Sequence, residues 1–256
     1  MTLLGQSIIV TGASSGLGAH TVRLLASRGA HVVAAGRRLE RLEELAAGLA
    51  NQPGRVIPVR ADITVEADAE ALVAAAVAAF GGVDVLVNNA GSEVQGGLEQ
   101  LSRADLEGML QTNVVGVFVM LRAALGALRE SRGCVVNLGS TVVGRPPHGR
   151  FGYVASKAAV EAMTRALAAD LGRDGIRVNC IRPGIIPSEL RGMTEDQERE
   201  RFSTGLHFGR QALSDVGRGT DIAEAVAWLA GEGGRWITGA IIDVDGGLTL
   251  GLADPV

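Results

Sequence analysis

Ser7-Ile-Ile-Val-Thr-Gly-Ala-Ser-Ser-Gly-Leu-Gly18 is the stretch on which the fold turns. Ser7–Val10 reads as a short apolar strand, and the residues from Leu17 onward carry a helical pattern that ends near Gly29. Between them the glycines Gly12, Gly16 and Gly18 are spaced GxxxGxG, not the GxGxxG of the commoner dinucleotide fingerprint. Glycines permit the sharp turn and let the backbone approach a pyrophosphate. The helix beyond then offers free N–H groups and the positive end of its dipole. A Gly-rich turn can also be a plain strand–helix connection, but its place right after the first strand of a βαβ unit favours the nucleotide reading.

The alternation continues along the chain. Strand-like runs are expected at Ser7–Val10, His31–Ala35, Val56–Val59, Val83–Val87, Cys134–Leu138, Ile176–Ile181 and Ala240–Val244. They are short, rich in Val and Ile and show little alternation, as in parallel strands buried on both faces. Helical patterns lie near 17–28, 38–50, 65–80, 104–129, 153–172 and 220–231. The expected fold is α/β: a single-domain Rossmann fold over 1–256, with a doubly wound parallel sheet of about seven strands and helices on both faces. Residues 187–219 break the rhythm and carry the charge run Glu195-Asp-Gln-Glu-Arg-Glu-Arg201. Such a run is ordinarily a solvated helix face; an insertion this long beside a site can also be a substrate lid.

Composition narrows the function classes. Hydrophobic residues are 47% and charged residues 20%, as in globular proteins, and the net charge of −4 gives no general attraction to nucleic acid or anionic membrane. No uninterrupted apolar run reaches the ~18 residues of a bilayer span. The start carries no secretory signal pattern, so a cytoplasmic protein is expected. Cys134 and Cys180 lie in apolar runs and read as buried thiols; with His20, His31, His148 and His207 scattered, no metal site is expected.

The end of the second strand reads Ala35-Gly36-Arg37-Arg38, with no carboxylate until Glu40. An acidic residue there would accept from a ribose 2′-hydroxyl; guanidiniums suit a 2′-phosphate. NADP is therefore expected in preference to NAD, with Arg37 the better candidate, because Arg38 also reads as the start of the next helix's solvated face. Further along, Tyr153 and Lys157 stand about one helical turn apart, on one face. A phenol titrates near pKa ~10, and a neighbouring ammonium lowers that towards useful acid–base work.

With TGxxxGxG, Asn88-Asn-Ala-Gly91, Asn113, Ser140 and YxxxK present in order, the chain resembles the compact branch of the short-chain dehydrogenase/reductase family from about Ser7 to about Gly247. The resemblance implies an NADP(H)-dependent interconversion of a carbonyl and a secondary alcohol. It makes Tyr153 the general acid of reduction, Ser140 the hydrogen-bond partner of the substrate oxygen and Lys157 the tuner of the phenol. Asn113 would hold a water of the proton relay. The implied cofactor site comprises Gly12, Ser14, Ser15, Gly16, Leu17, Gly18, Arg37, Arg38, Asp62, Ile63, Asn89, Ala90, Gly91, Tyr153, Lys157, Pro183, Gly184, Ile186 and Ser188. Ser188 stands where the family's PGxxxT segment has threonine. Trp236-Ile-Thr-Gly239 and Val244-Asp-Gly-Gly247 read as structural.

Substrate-side candidates are Glu93, Val94, Gln95, Val142, His148, Phe151 and the residues of the Pro187–Leu213 lid, which mixes Phe202, Leu206 and Phe208 with charges, together with Ser140 and Tyr153. A 3-oxoacyl thioester or another ketone would serve as the small-molecule substrate. The family usually forms homotetramers through the helices near 104–129 and 153–172, so a homotetramer or a homodimer is expected, and the tail Leu248–Leu252 is apolar for a terminus. The competing reading is a catalytically silent NAD(P)-binding sensor or scaffold of the same fold. It would be expected to lack one of Asn113, Ser140, Tyr153 or Lys157, and all are present.

Overall fold

The computed structural model describes residues 3–204, 211–213 and 215–250. Its centre is a seven-stranded sheet of β1 (Ser7–Thr11), β2 (His31–Gly36), β3 (Val56–Arg60), β4 (Val85–Asn88), β5 (Cys134–Leu138), β6 (Arg177–Pro183) and β7 (Ile241–Val244). The order is β3-β2-β1-β4-β5-β6-β7 and every neighbouring pair is parallel. The expected strands all appear, displaced by a residue or two at their ends. The order reverses between β1 and β4, so the crevice for a ligand opens beyond the carboxyl ends of those strands.

Helices cover both faces. On one side α1 (Gly16–Ser27), α2 (Leu39–Ala47) and α8 (Gly219–Ala230) bury Leu25, Leu42 and Val226 against Ile8 and Val10. On the other, α3 (Glu66–Phe80), α5 (Gly116–Ser131) and α6 (Phe151–Leu171) bury Leu72, Met120 and Leu171 against Ile9 and Leu86. Neighbouring residues of β1 thus feed opposite cores, which is why that strand shows no polar alternation.

The helical stretch expected near 104–129 is three pieces: α4 (Arg103–Leu110), a π-helical turn (Gln111–Val115) and α5. The turn widens where Asn113, 1% exposed, faces inward. Taken together, Arg103–Ser131 is long and apolar enough to cross a bilayer by length and average composition alone, although no uninterrupted apolar run within it is. Gln111, Thr112, Asn113 and Arg122 interrupt the apolar run but barely dilute its average. The helix packs on α3 and the sheet, in the core cluster of Met120 and Ala124.

The charge run forms α7 (Glu195–Thr204), preceded by a 3-10 turn at Glu189–Arg191. Over 195–202 it is half-buried at Glu195, buried at Glu198 and Phe202, and otherwise solvated. Leu206, His207, Phe208 and Leu252 lie outside the described residues.

Candidate active site

The Gly-rich turn brings β1 into α1, and steric contacts leave no room for side chains. A Cβ on Gly18 would stand 2.3 Å from the Gly12 carbonyl oxygen, and one on Gly12, which has a φ of +66°, would stand 2.7 Å from Ala90 Cα. Asn89 closes the same knot: its Nδ2 donates to the carbonyl oxygens of Thr11 (2.8 Å) and Gly12 (3.2 Å), while Thr11 Oγ1 accepts from the amides of Asn89 and Ala90. Its neighbour Asn88 donates inward to Asn137 Oδ1 at 2.9 Å, joining β4 to β5. The Asn88–Gly91 run therefore has one amide for the sheet and one for the turn.

A cavity of about 890 Å³ extends from this turn along the ends of the central strands. Gly12, Ser14, Ser15, Gly16, Leu17, Arg37, Arg38, Asp62, Ile63, Asn89, Ala90, Gly91, Pro183, Gly184, Ile186 and Ser188 line it, with Ser140, Tyr153 and Lys157. Gly18 lies beneath the turn. The α1 N-cap, Ser15, makes no side-chain cap, and no acidic residue stands in the first turn, so this helix end suits an anion. The side-chain-free cradle, the helix end and two guanidiniums fit a dinucleotide.

The two arginines differ in what they touch. Arg38 donates to Ser14 Oγ at 3.0 Å and Ser15 Oγ at 2.6 Å, which lays it across the phosphate turn. Arg37 acts on Asp62, whose carboxyl lies below its ordinary range chiefly because Thr64 donates to it from both amide and hydroxyl, with Arg37 adding to the effect. Arg38, expected to be the weaker candidate, is the one bonded to the turn.

Three helical residues organise the chemical end. Lys157 is 5% exposed, donates to the Leu138 carbonyl oxygen at 2.8 Å and lies 5.7 Å from the centroid of the Tyr153 ring. Burial pushes its ammonium down to about 8, against the pull of Cys180 and the Glu93 carboxylate. Cys180 is itself pushed up to about 12 by burial and is a neutral thiol at working pH, so Glu93 is the charge that counts. Asn113 does not line the cavity. Its Oδ1 accepts from Ser92 N, and its Nδ2 donates to Ser92 O and to Ser156 Oγ, which in turn donates to the Tyr153 carbonyl oxygen. Ser140 stands two residues beyond β5 in extended backbone (φ −167°), capping the 3-10 turn Thr141–Val143, where its Oγ accepts from Val142 N at 3.4 Å.

On the substrate side, Glu93 and Val142 line the cavity; Val94, Gln95, His148 and Phe151 do not. Gln95 and His148 are exposed because Gly96 N donates to Gly149 O, pairing their two loops with each other. The sequence reading missed Arg150, whose Nε lies 3.2 Å from Glu93 Oε1, and Arg145, both on the lining; Glu189 and Leu190, within the lid range, line it too. Arg150 directly precedes the Tyr153 helix, and only the fold shows that it meets a carboxylate from another loop. Among the described residues no group of three or more His, Cys, Asp or Glu could hold a metal ion.

The family model described as enoyl-(acyl carrier protein) reductase matches residues 12–249. The chain belongs to the short-chain dehydrogenase/reductase family. It is 38% identical to a 2,5-dichloro-2,5-cyclohexadiene-1,4-diol dehydrogenase of Sphingobium indicum, over 96% of this chain and 98% of that one. It is 32% identical to a 3-oxoacyl-[acyl-carrier-protein] reductase of Thermotoga maritima, over 98% and 100%. Among solved structures, a 3-ketoacyl-(acyl-carrier-protein) reductase from Brucella melitensis complexed with NADH superposes with a TM-score of 0.86 at 31% identity, covering 97% of this chain and all (100%) of that one. As a short-chain dehydrogenase/reductase the protein is an NAD(P)-dependent oxidoreductase acting between alcohols and carbonyls.

Proposed function

We propose that the protein is an NADP(H)-dependent reductase of a ketone, a 3-oxoacyl thioester or a related carbonyl, with Tyr153 as its proton donor. The observation that carries this reading is the placement of Tyr153 and Lys157 in one cavity with Ser140 and the Gly12–Gly18 turn. Bound nicotinamide supplies the hydride. Tyr153 gives its phenolic proton to the carbonyl oxygen as that oxygen gains negative charge, and takes it back in the alcohol-oxidising direction. Ser140 donates a second hydrogen bond to the same oxygen. Lys157, held cationic below about pH 8, favours the phenolate that remains and reaches a ribose hydroxyl.

Arg38 and Arg37, beside the turn and with no carboxylate on the end of β2, support NADP over NAD. The remote lining joins Val142, Leu190, Phe202 and Leu248 to the Glu93–Arg150 pair, which suits a largely apolar substrate with a polar handle. Residues 187–219 are the lid of this reading. Exposed Val115 and Phe118, at the π-helical turn and the start of α5, support a tetramer interface on that helix.

The test is a Tyr153→Phe variant, titrated with NADPH and assayed on ketones and 3-oxoacyl thioesters. It should bind NADPH as the unaltered protein does and lose at least about 100-fold in kcat, the scale of a general acid. Near-normal turnover would refute the assignment.

A further inference from the structure

Glu189 lines the cavity from the 3-10 turn Glu189–Arg191 and belongs to neither the phosphate turn nor the catalytic helix. Its Oε2 sits 2.5 Å from Arg41 Nη1 on α2 and 3.4 Å from Arg38 Nη1. Arg38 simultaneously donates to Ser14 and Ser15 on the phosphate turn. The residue before Glu189, Ser188, packs against Gly16: a Cβ there would lie 3.4 Å from Ser188 Cβ. Ser188 N donates to Glu198 Oε2 at 2.7 Å, and Glu198 is fully buried in α7. Glu195, at the start of α7, lies 3.1 Å from His20 Nε2 on α1. The 188–198 segment is therefore tied to α1 and α2 by two carboxylates, Glu195 and Glu189, while Glu198 braces the segment internally; Glu189 holds both Arg38, which lies on the phosphate turn, and Arg41 one turn further along α2.

A ribose 2′-phosphate carries nearly two negative charges and asks for those guanidiniums; a 2′-hydroxyl does not. A carboxylate already bonded to both arginines competes with the phosphate and repels it.

We propose that Glu189 sets the cofactor choice and couples it to the 188–204 segment: a 2′-phosphate takes Arg38 and Arg41 from Glu189 and releases this segment, whereas a 2′-hydroxyl leaves the tie in place. The inference rests on the NADP reading above. It makes Glu189 a brake on NADP affinity and leaves NAD affinity untouched. It also makes the chain over the substrate end looser with one cofactor than with the other.

The test uses the full chain and two fragments, adenosine 2′,5′-diphosphate and adenosine 5′-monophosphate, which differ in the 2′-phosphate alone. Their affinities are measured by calorimetry for the unaltered protein and for Glu189→Gln, which keeps the size and loses the charge. Glu189→Gln should tighten the 2′,5′-diphosphate by about 3- to 10-fold, the range for two half-exposed ion pairs, and leave the 5′-monophosphate unmoved. In the unaltered protein, trypsin should cut after the exposed Arg199 and Arg201 faster with the 2′,5′-diphosphate than with the 5′-monophosphate, and in Glu189→Gln the difference should vanish. An unchanged ratio of the two affinities in Glu189→Gln overturns the inference, as does equal tightening of both fragments. If the unaltered protein prefers neither fragment, the NADP reading fails; a ratio that still rises in Glu189→Gln then upholds the brake by itself.

Discussion

Asn113 Nδ2 donates to Ser156 Oγ across 2.9 Å, and this bond ties the π-helical turn to the helix that carries Tyr153 and Lys157. The same amide holds Ser92 by both backbone groups. Asn113 and Ser156 are buried and Ser92 is half-buried, so removing the amide strands several partners at once. Asn113→Leu should lower stability by about 2–4 kcal/mol, the cost of two or three unsatisfied buried groups, and should cut kcat with it. Denaturant unfolding measures the first effect. An unchanged midpoint in Asn113→Leu would show that the bonds are not what holds the turn.

Lys157 is the only lysine in the chain, so its titration can be followed without assignment ambiguity. Burial sets its value near 8, below its ordinary 10.5. Between those values the unfolded chain binds more protons than the folded one, so this group adds stability as pH rises from about 8 to 10.5 and adds none below about 8. Direct observation of the labelled ε-position by NMR should give a midpoint near 8. Glu93→Gln should lower it further, since the carboxylate favours the cation, and should move the alkaline limb of the rate profile the same way. A midpoint near 10.5 would remove the basis for both statements.

The sheet was legible because parallel strands buried on both faces need runs such as Ser7–Val10, and the Gly-rich turn needs glycines where Gly12 and Gly18 stand. Tyr153, Lys157 and Ser140 were legible because their spacing reports chemistry. Asn113 was legible as a residue but not as a π-helical turn, since that geometry answers partners on Ser92 and Ser156, distant in sequence. The ranking of Arg37 above Arg38 rested on order along the chain, which does not show that the backbone at the start of α2 brings Arg38, and not Arg37, to Ser14. Arg150 carried no local signal at all, and Glu189 only that of its lid segment. Each gains its meaning from an opposite charge brought in by another loop or helix.

Arg182 and Glu161 make a two-pronged ion pair beneath the site: Nε to Oε1 at 2.7 Å and Nη2 to Oε2 at 2.5 Å, with Glu161 only 5% exposed in its side chain. Glu161 lies one turn beyond Lys157 on α6 and Arg182 lies on β6, so the pair anchors the catalytic helix to the sheet. Glu161→Ala leaves a guanidinium without its main partner and should cost about 3 kcal/mol, the lower end for a broken buried pair because Asp243 also reaches Arg182. The expected result is a lower melting temperature with reduced turnover. Rescue by Glu161→Gln should be poor, since an amide restores one prong at best. Full stability in the Ala variant would mean that helix packing alone positions Lys157.

Burial pushes the Cys134 and Cys180 thiols up to about 11 and about 12, so neither has thiolate to offer at neutral pH. A thiol reagent should label neither in the native protein within the time that labels both in denaturant. Fast labelling of either one would mean that its strand opens locally.

Gly18 offers the sharpest separation of the nucleotide turn from general stability. Alanine there would put a methyl 2.3 Å from the Gly12 carbonyl oxygen and 2.6 Å from Asn89 Nδ2, and those two atoms are already hydrogen-bonded to each other. Something must move, and the backbone of Gly12–Gly16 is the part that a pyrophosphate would touch. Gly126 is the contrast: it lies within α5, and a Cβ there meets nothing within 4 Å. Gly126→Ala should therefore stabilise the protein by about 0.5–1 kcal/mol and leave NADPH binding unchanged. Gly18→Ala should weaken NADPH binding at least about 10-fold, the ~1.4 kcal/mol that a small displacement of the cradle costs easily. Fluorescence titration of both variants decides the matter. Equal NADPH affinity in the two would place the dinucleotide away from this turn, and with it the argument that joins Arg38 and Glu189 to the cofactor.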